Sequence, residues 1–86
     1  MKEFPLKITA PDGPRYDGGA QSLTVRAITG YVGILAGHTN FTTALGSGEA
    51  RVIIDGMTRR AHCSGGLLSV MNGEVTLLPA AFAWKD

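Results

Sequence analysis

The 86-residue sequence predicts an all-β domain, and three observations carry that expectation. Twelve glycines and four prolines cut the chain into pieces too short for globular helices. Between these breaks apolar residues recur at every second position, the period of a half-buried strand. Two dipeptides, Asp55-Gly56 and Asn72-Gly73, lie between such runs. A two-residue type I′ turn needs positive φ at both of its central positions, which these residue types tolerate.

The first strand is expected over residues 2–9, with Phe4, Leu6 and Ile8 on its buried face. Pro11-Asp12-Gly13-Pro14 supplies the fixed φ and the glycine of a turn. A short return through residues 15–17 then ends at Gly18-Gly19. The clearest alternation runs over residues 20–28, placing Leu23, Val25 and Ala27 inward and Ser22, Thr24 and Arg26 outward. Gly30, Gly33 and Gly37 let the chain turn, cross as a short strand through Val32 and Ile34, and bend again, with His38 at the exit. Residues 41–45 form the next strand, Gly46-Ser47-Gly48 turns the chain, and Ala50, Val52 and Ile54 alternate within residues 49–54. The Asp55-Gly56 turn pairs that strand with residues 57–63, and Asn72-Gly73 pairs residues 67–71 with 74–78. Residues 79–86 break the pattern. Alanine-rich and opened by Pro79, they read as a first helical turn that does not continue, which leaves Phe82 and Trp84 exposed unless something covers them. Eight to ten short strands admit either a sandwich or a barrel, and the pattern does not choose between them.

A chain of this length makes one small domain, burying roughly 60 to 65% of the surface its unfolded form exposes. Eight basic and seven acidic residues leave a formal charge of +1. That balance argues against a nucleic-acid partner, whose phosphates would have to be neutralised in a row. Arg59-Arg60 is the one adjacent basic pair, and on a strand its side chains point to opposite faces. Cys63 is the sole cysteine, so no intrachain disulfide forms, which fits a reducing compartment. Residues 1–5 lack the apolar stretch of a secretory signal. The longest apolar run, residues 77–84, is broken by Pro79 and falls far short of the roughly 20 residues that span a bilayer. Membrane association is therefore expected only through a partner.

No constellation reads as catalytic. His38 has Thr39, Asn40 and Thr42 as neighbours, without the orienting group and nucleophile that a general base needs. His62 and Cys63 are adjacent on a strand, hence oppositely directed, and no second pair lies at zinc-ligand spacing. Gly30-x-x-Gly33 and Gly46-Ser47-Gly48 lack the lysine of a phosphate loop and the strand–helix setting of a dinucleotide fingerprint, so turn geometry explains them. Ser64-Gly65-Gly66 is not a nucleophile elbow and reads as a bulge or tight strand entry. Asp12, Asp17, Glu49, Asp55, Glu74 and Asp86 are dispersed over turns and strand ends, where solvation is their role.

The stretch from Gly30 to Leu45 contains Gly-x-x-Gly-Ile-Leu-x-Gly-His followed by Thr-Ala-Leu. It resembles the amino-terminal β-sandwich domain of the F-type ATP synthase epsilon subunit. Further segments fall in the family's order. These are Phe4, Leu6 and Ile8 before Thr9-Ala10-Pro11-Asp12-Gly13, then Gly48-Glu49-Ala50-Arg51-Val52, Ser64 to Val70, and Asn72 to Leu78. The similarity thus runs from about Phe4 to Leu78.

The resemblance implies a flattened β-sandwich of mainly antiparallel strands over residues 1–79, with residues 80–86 as the start of a helical hairpin that is missing or truncated here. It implies a non-catalytic central-stalk subunit without cofactor or metal, linking the gamma subunit to the membrane c-ring and coupling ion translocation to ATP synthesis. The location it implies is peripheral, on the cytoplasmic face of a bacterial membrane or the equivalent face of an energy-transducing organelle. By matching position, Thr9, Ala10, His38, Thr39 and Thr43 should face gamma, and Thr29, Gly30, Tyr31 and Val32 should approach the c-ring loops. Tyr31 stands where an acidic residue is common and Ala36 where proline is frequent, so ring contact is expected to use aromatic packing more than charge pairing. Nucleotide binding and inhibition of ATP hydrolysis reside in the family's carboxyl-terminal hairpin and are not expected of these residues. The alternative is a free-standing sandwich module binding a ligand or protein through the Gly30–His38 loop, although few aromatic or convergent polar side chains serve it. A hydrolase built on His38 and Ser64 ranks last.

Overall fold

The computed structural model describes residues 2–85. They form ten strands: β1 Phe4–Ala10, β2 Gly13–Ala20, β3 Ser22–Ala27, β4 Gly30–Ile34, β5 Phe41–Ala44, β6 Ser47–Ile54, β7 Met57–Ser64, β8 Leu67–Met71, β9 Glu74–Leu78 and β10 Ala81–Trp84. The strands make two five-stranded sheets, the first in order β2-β1-β9-β8-β5 and the second in order β10-β7-β6-β3-β4. This is the expected sandwich, and a barrel is ruled out by the two separate sheets.

Alternation builds the core as expected. Phe4, Leu6 and Ile8 of β1 are buried, as are Leu23, Val25 and Ala27 of β3, and all but Ala27 belong to one core cluster with Val52, Leu68, Val70, Val75 and Leu77. Among the described residues no polar or charged side chain is buried. A wholly apolar, close-packed interior of this kind holds two sheets rigidly against one another. Both dipeptide turns take positive φ throughout: Asp55 51°, Gly56 77°, Asn72 51° and Gly73 84°. A distant amide holds each turn in place. Gln21 Oε1 accepts from Gly56 N–H at 2.7 Å, and Asn40 Oδ1 accepts from Asn72 N–H at 2.8 Å.

Three features differ from the sequence expectation. The return strand β2 runs unbroken through Gly18 and Gly19, because pairing with β1 from Ala10–Gly13 to Phe4–Ala20 overrides their weak strand preference. Ser47 and Gly48 belong to β6 and form no turn, since the chain stays extended while it changes sheets. On the way Leu45 bridges to Ala27, and Gly46 N–H donates to the Arg26 carbonyl at 2.9 Å. Finally, residues 81–84 are strand β10 and not a helical turn, pairing with β7 from Ala81–Ser64 to Trp84–Ala61. Burial explains the outcome. Phe82 is only 7% exposed and meets Trp84 edge to face at 4.9 Å. The Trp84 indole N–H donates to the Arg15 carbonyl at 3.3 Å, and the Arg59 guanidinium covers its ring at 3.9 Å. The two aromatics thus close the side of the sandwich where β10 faces β2. Asp86 lies outside the described residues.

Candidate functional site

The side of the sandwich opposite β10 is bounded by β4 and β5, the last strands of their sheets. Ile28 and Thr29 make the turn between β3 and β4, and Gly30 enters β4 at φ 132°. The Ile28 N–H donates to the Ala44 carbonyl of β5 at 3.1 Å. This bond ties the hairpin of one sheet to the edge strand of the other.

Of the four residues expected to meet a ring of subunits, only two offer side chains outward. Val32 pairs with Val25 and packs on the core, and Gly30 contributes backbone alone. Thr29 is exposed at the tip. Tyr31, 54% exposed, does not project from the tip: its ring lies 5.6 Å from the Arg26 guanidinium carbon. Its hydroxyl reaches over Gly48, where a Cβ would stand 3.1 Å from it. The apolar group that the tip does present is Ile28, 67% exposed. Sequence reasoning passed over it because the alternation of the preceding strand absorbed it.

The five residues expected to face gamma do not form one patch. His38 and Thr39 lie in the loop between β4 and β5, where the His38 ring accompanies Phe41 edge to face at 5.9 Å. His38 Nδ1 is 2.8 Å from the Thr39 carbonyl, so a backbone group engages it. Thr43 follows on β5, paired with Leu68. Thr9 is on β1, with β9 and β8 between it and β5, about 14 Å away across the sheet. Ala10, 4% exposed, offers little side chain to a partner. Thr43, like its partner Leu68, points to the core side of its sheet, whereas an uncharged strip runs across the outer face from Ala44 towards Thr9. Leu67 pairs with both Ala44 and Leu78, and these leucines are 50% and 46% exposed on the outer face that Thr9 shares.

The remaining candidates are dispersed. His62 faces solvent while Cys63 is buried, so the two cannot converge on one ion. Burial raises the Cys63 thiol from its ordinary 9.0 to about 11, which keeps it protonated and unreactive. In the turn after β1 the Arg15 guanidinium, 2.5 Å from Asp12, holds that exposed carboxylate below its usual range.

The sequence profile of the ATP synthase delta/epsilon chain β-sandwich domain matches residues 3–85, nearly all of this chain. This chain belongs to that family. Its relatives include the ATP synthase epsilon chain of Caldicellulosiruptor bescii, 34% identical over 100% of this chain and 63% of the relative. The epsilon chain of Bacillus velezensis is 42% identical over 94% of this chain and 61% of the relative. The chain therefore spans a little under two thirds of the length of these epsilon chains. Among solved structures, a chain of the Euglena gracilis mitochondrial ATP synthase (OSCP/F1/c-ring) superposes with TM-score 0.89 at 24% identity, over 98% of this chain and 54% of the other. A chain of the Tetrahymena thermophila mitochondrial ATP synthase central stalk and c-ring superposes with TM-score 0.81 at 10% identity, over 96% and 67%. At such identities the superpositions show the fold alone.

Proposed function

We propose that this chain is the non-catalytic sandwich of the central stalk of an F-type ATP synthase, linking gamma to the c-ring so that ion flow drives ATP synthesis. Family membership and relatives named as epsilon chains support this reading. The observation that carries it is the Ile28–Ala44 hydrogen bond, which joins the β3–β4 hairpin to β5. Ring contact falls to the hairpin tip, through Ile28, Thr29 and the flank of Tyr31. Gamma contact falls to His38, Thr39 and Thr43 at the β5 edge and to Thr9 on the outer face, with Ala44, Leu67 and Leu78 lying between β5 and Thr9 on that face. Load applied at one set reaches the other through hydrogen-bonded strands and an apolar core. The complex rests peripherally on its membrane, and the chain reaches the bilayer only through its partners.

Capture of this chain by purified c-ring and, separately, by purified gamma tests the assignment. Ile28→Asp should weaken ring capture by about tenfold or more, because the charge must be desolvated at an apolar contact, and leave gamma capture unchanged. Tyr31→Ala should give a smaller loss on the ring. Thr43→Arg should do the reverse of Ile28→Asp. Undiminished ring affinity in both hairpin variants would remove the proposed tip contact.

A further inference from the structure

The outer face of the second sheet carries a charge pattern that its fold does not require. Arg26 on β3, Arg51 on β6, Arg60 on β7 and Lys85 just beyond β10 all point outward from it, half of the eight basic residues of the chain. Among the described residues Glu49 is the one carboxylate on this face. It is shared, with Oε1 lying 3.1 Å from Arg60 Nε and 3.9 Å from Lys85 Nζ. Arg51 stands directly opposite Arg60 in the β6–β7 ladder, both are exposed, and no carboxylate among the described residues pairs with Arg51. Like charges facing one another across strands destabilise a sheet. The floor beside Arg51 is low, since its other neighbour across the ladder is Thr24, itself paired with Gly33. The outer face of the first sheet has no such excess, with Lys7 paired to Asp17.

We propose that this face docks a carboxylate-rich segment of a partner protein, with Arg51 and Arg60 as the anchoring cations. A carboxylate bridging the two guanidiniums relieves their repulsion on binding, and the planar fork of arginine suits it. Glu49 favours a partner with discrete, registered charges over a uniform polyanion, which it would repel. Of the exposed apolar side chains on this sheet, Ile28, Leu35 and Met57 lie at or beyond strand ends and Tyr31 lies on the edge strand β4, so nothing at the centre of the face would insert into a lipid surface. The inference goes beyond the stalk assignment and does not depend on it, because Arg51 and Arg60 belong to neither proposed contact set.

Titration of the chain with a short peptide in which glutamates alternate with serines, followed by amide chemical shifts at low and high salt, tests it. The expected result is salt-sensitive binding with the largest shifts on β6 and β7. Arg51→Glu should weaken that binding about tenfold and at the same time raise the melting temperature, since it converts the repulsive pair with Arg60 into an attractive one. Lys7→Glu, on the other sheet, should leave binding as it was. No peptide binding, equal binding by Arg51→Glu, a lower melting temperature for Arg51→Glu, or tighter binding to inorganic polyphosphate or phosphatidylglycerol vesicles than to the peptide would each overturn the proposal.

Discussion

Gly66 adopts φ +91°, and a Cβ placed there would run into the Leu78 carbonyl oxygen and stand 2.8 Å from the Pro79 Cα. Both obstacles are backbone, so nothing can rotate aside. Gly73 also has positive φ, 84°, yet a Cβ there would meet nothing within 4 Å. The two positions separate steric collision from conformational preference. Gly66→Ala should reduce unfolding free energy by about 3 kcal/mol or more, and Gly73→Ala by about 1 kcal/mol. Urea denaturation of both variants checks the order, and equal losses would show that the approach to Leu78 relaxes freely. The sequence marked Gly73 as a turn former and Gly66 as part of a bulge or tight strand entry but could not rank them, because the obstacle to Gly66 comes from the far end of the hairpin that β8 and β9 make. Tyr31 makes the same point for the candidate site. Its place on the hairpin was legible, whereas its recline across Gly48 depends on which strand lies beside β3.

At the level of elements, the strands were most legible where turn chemistry and alternation agreed. Residues 67–71 and 74–78 form the expected strands because Asn72-Gly73 leaves the register no freedom. The turn itself leans on a residue outside the hairpin. Asn40→Ala should lower stability by about 1 kcal/mol and hasten exchange of the Asn72 amide, with the Gly56 amide unaffected. Amide hydrogen exchange would register the change, and equal effects at both turns would refute so local a role. The tail was least legible, because alanine-rich sequence favours helix only in isolation. Phe82 and Trp84 gain more by covering the gap between the sheets than a short helix could provide, and Arg15 and Arg59, which receive Trp84, are distant in sequence. The charged outer face was unreadable for a related reason. Alternation tells which residues point outward, but only the ladder between strands tells that Arg51 meets Arg60.

The whole molecule should respond to alkaline pH in a defined direction. The folded Cys63 thiol titrates at about 11 against an ordinary 9.0. A raised folded value means that the unfolded chain loses its proton first. The contribution of Cys63 is therefore intact below about pH 9 and is lost as pH climbs to about 11. Tyr16, raised by burial and then by the charges of Asp55 and Glu3, pulls the same way above its ordinary 10.0. Stability should fall by about 2 kcal/mol from Cys63 between about pH 8 and pH 10.5. Cys63→Ala should flatten part of that slope in paired denaturation curves, and an unchanged slope would assign the effect elsewhere. Chain topology carries one more consequence at this scale. β1 lies parallel to β9, matching Leu6 with Val75 and Ile8 with Leu77. On a ribosome the hairpin of β1 and β2 would emerge with its inner edge bare, and it must wait until residues 74–78 are made before the strand that completes it exists. Biosynthesis of this domain is thus all or nothing: translation that stalls before Leu77 leaves a sticky β-ribbon for chaperones to shield, not a partly working sandwich.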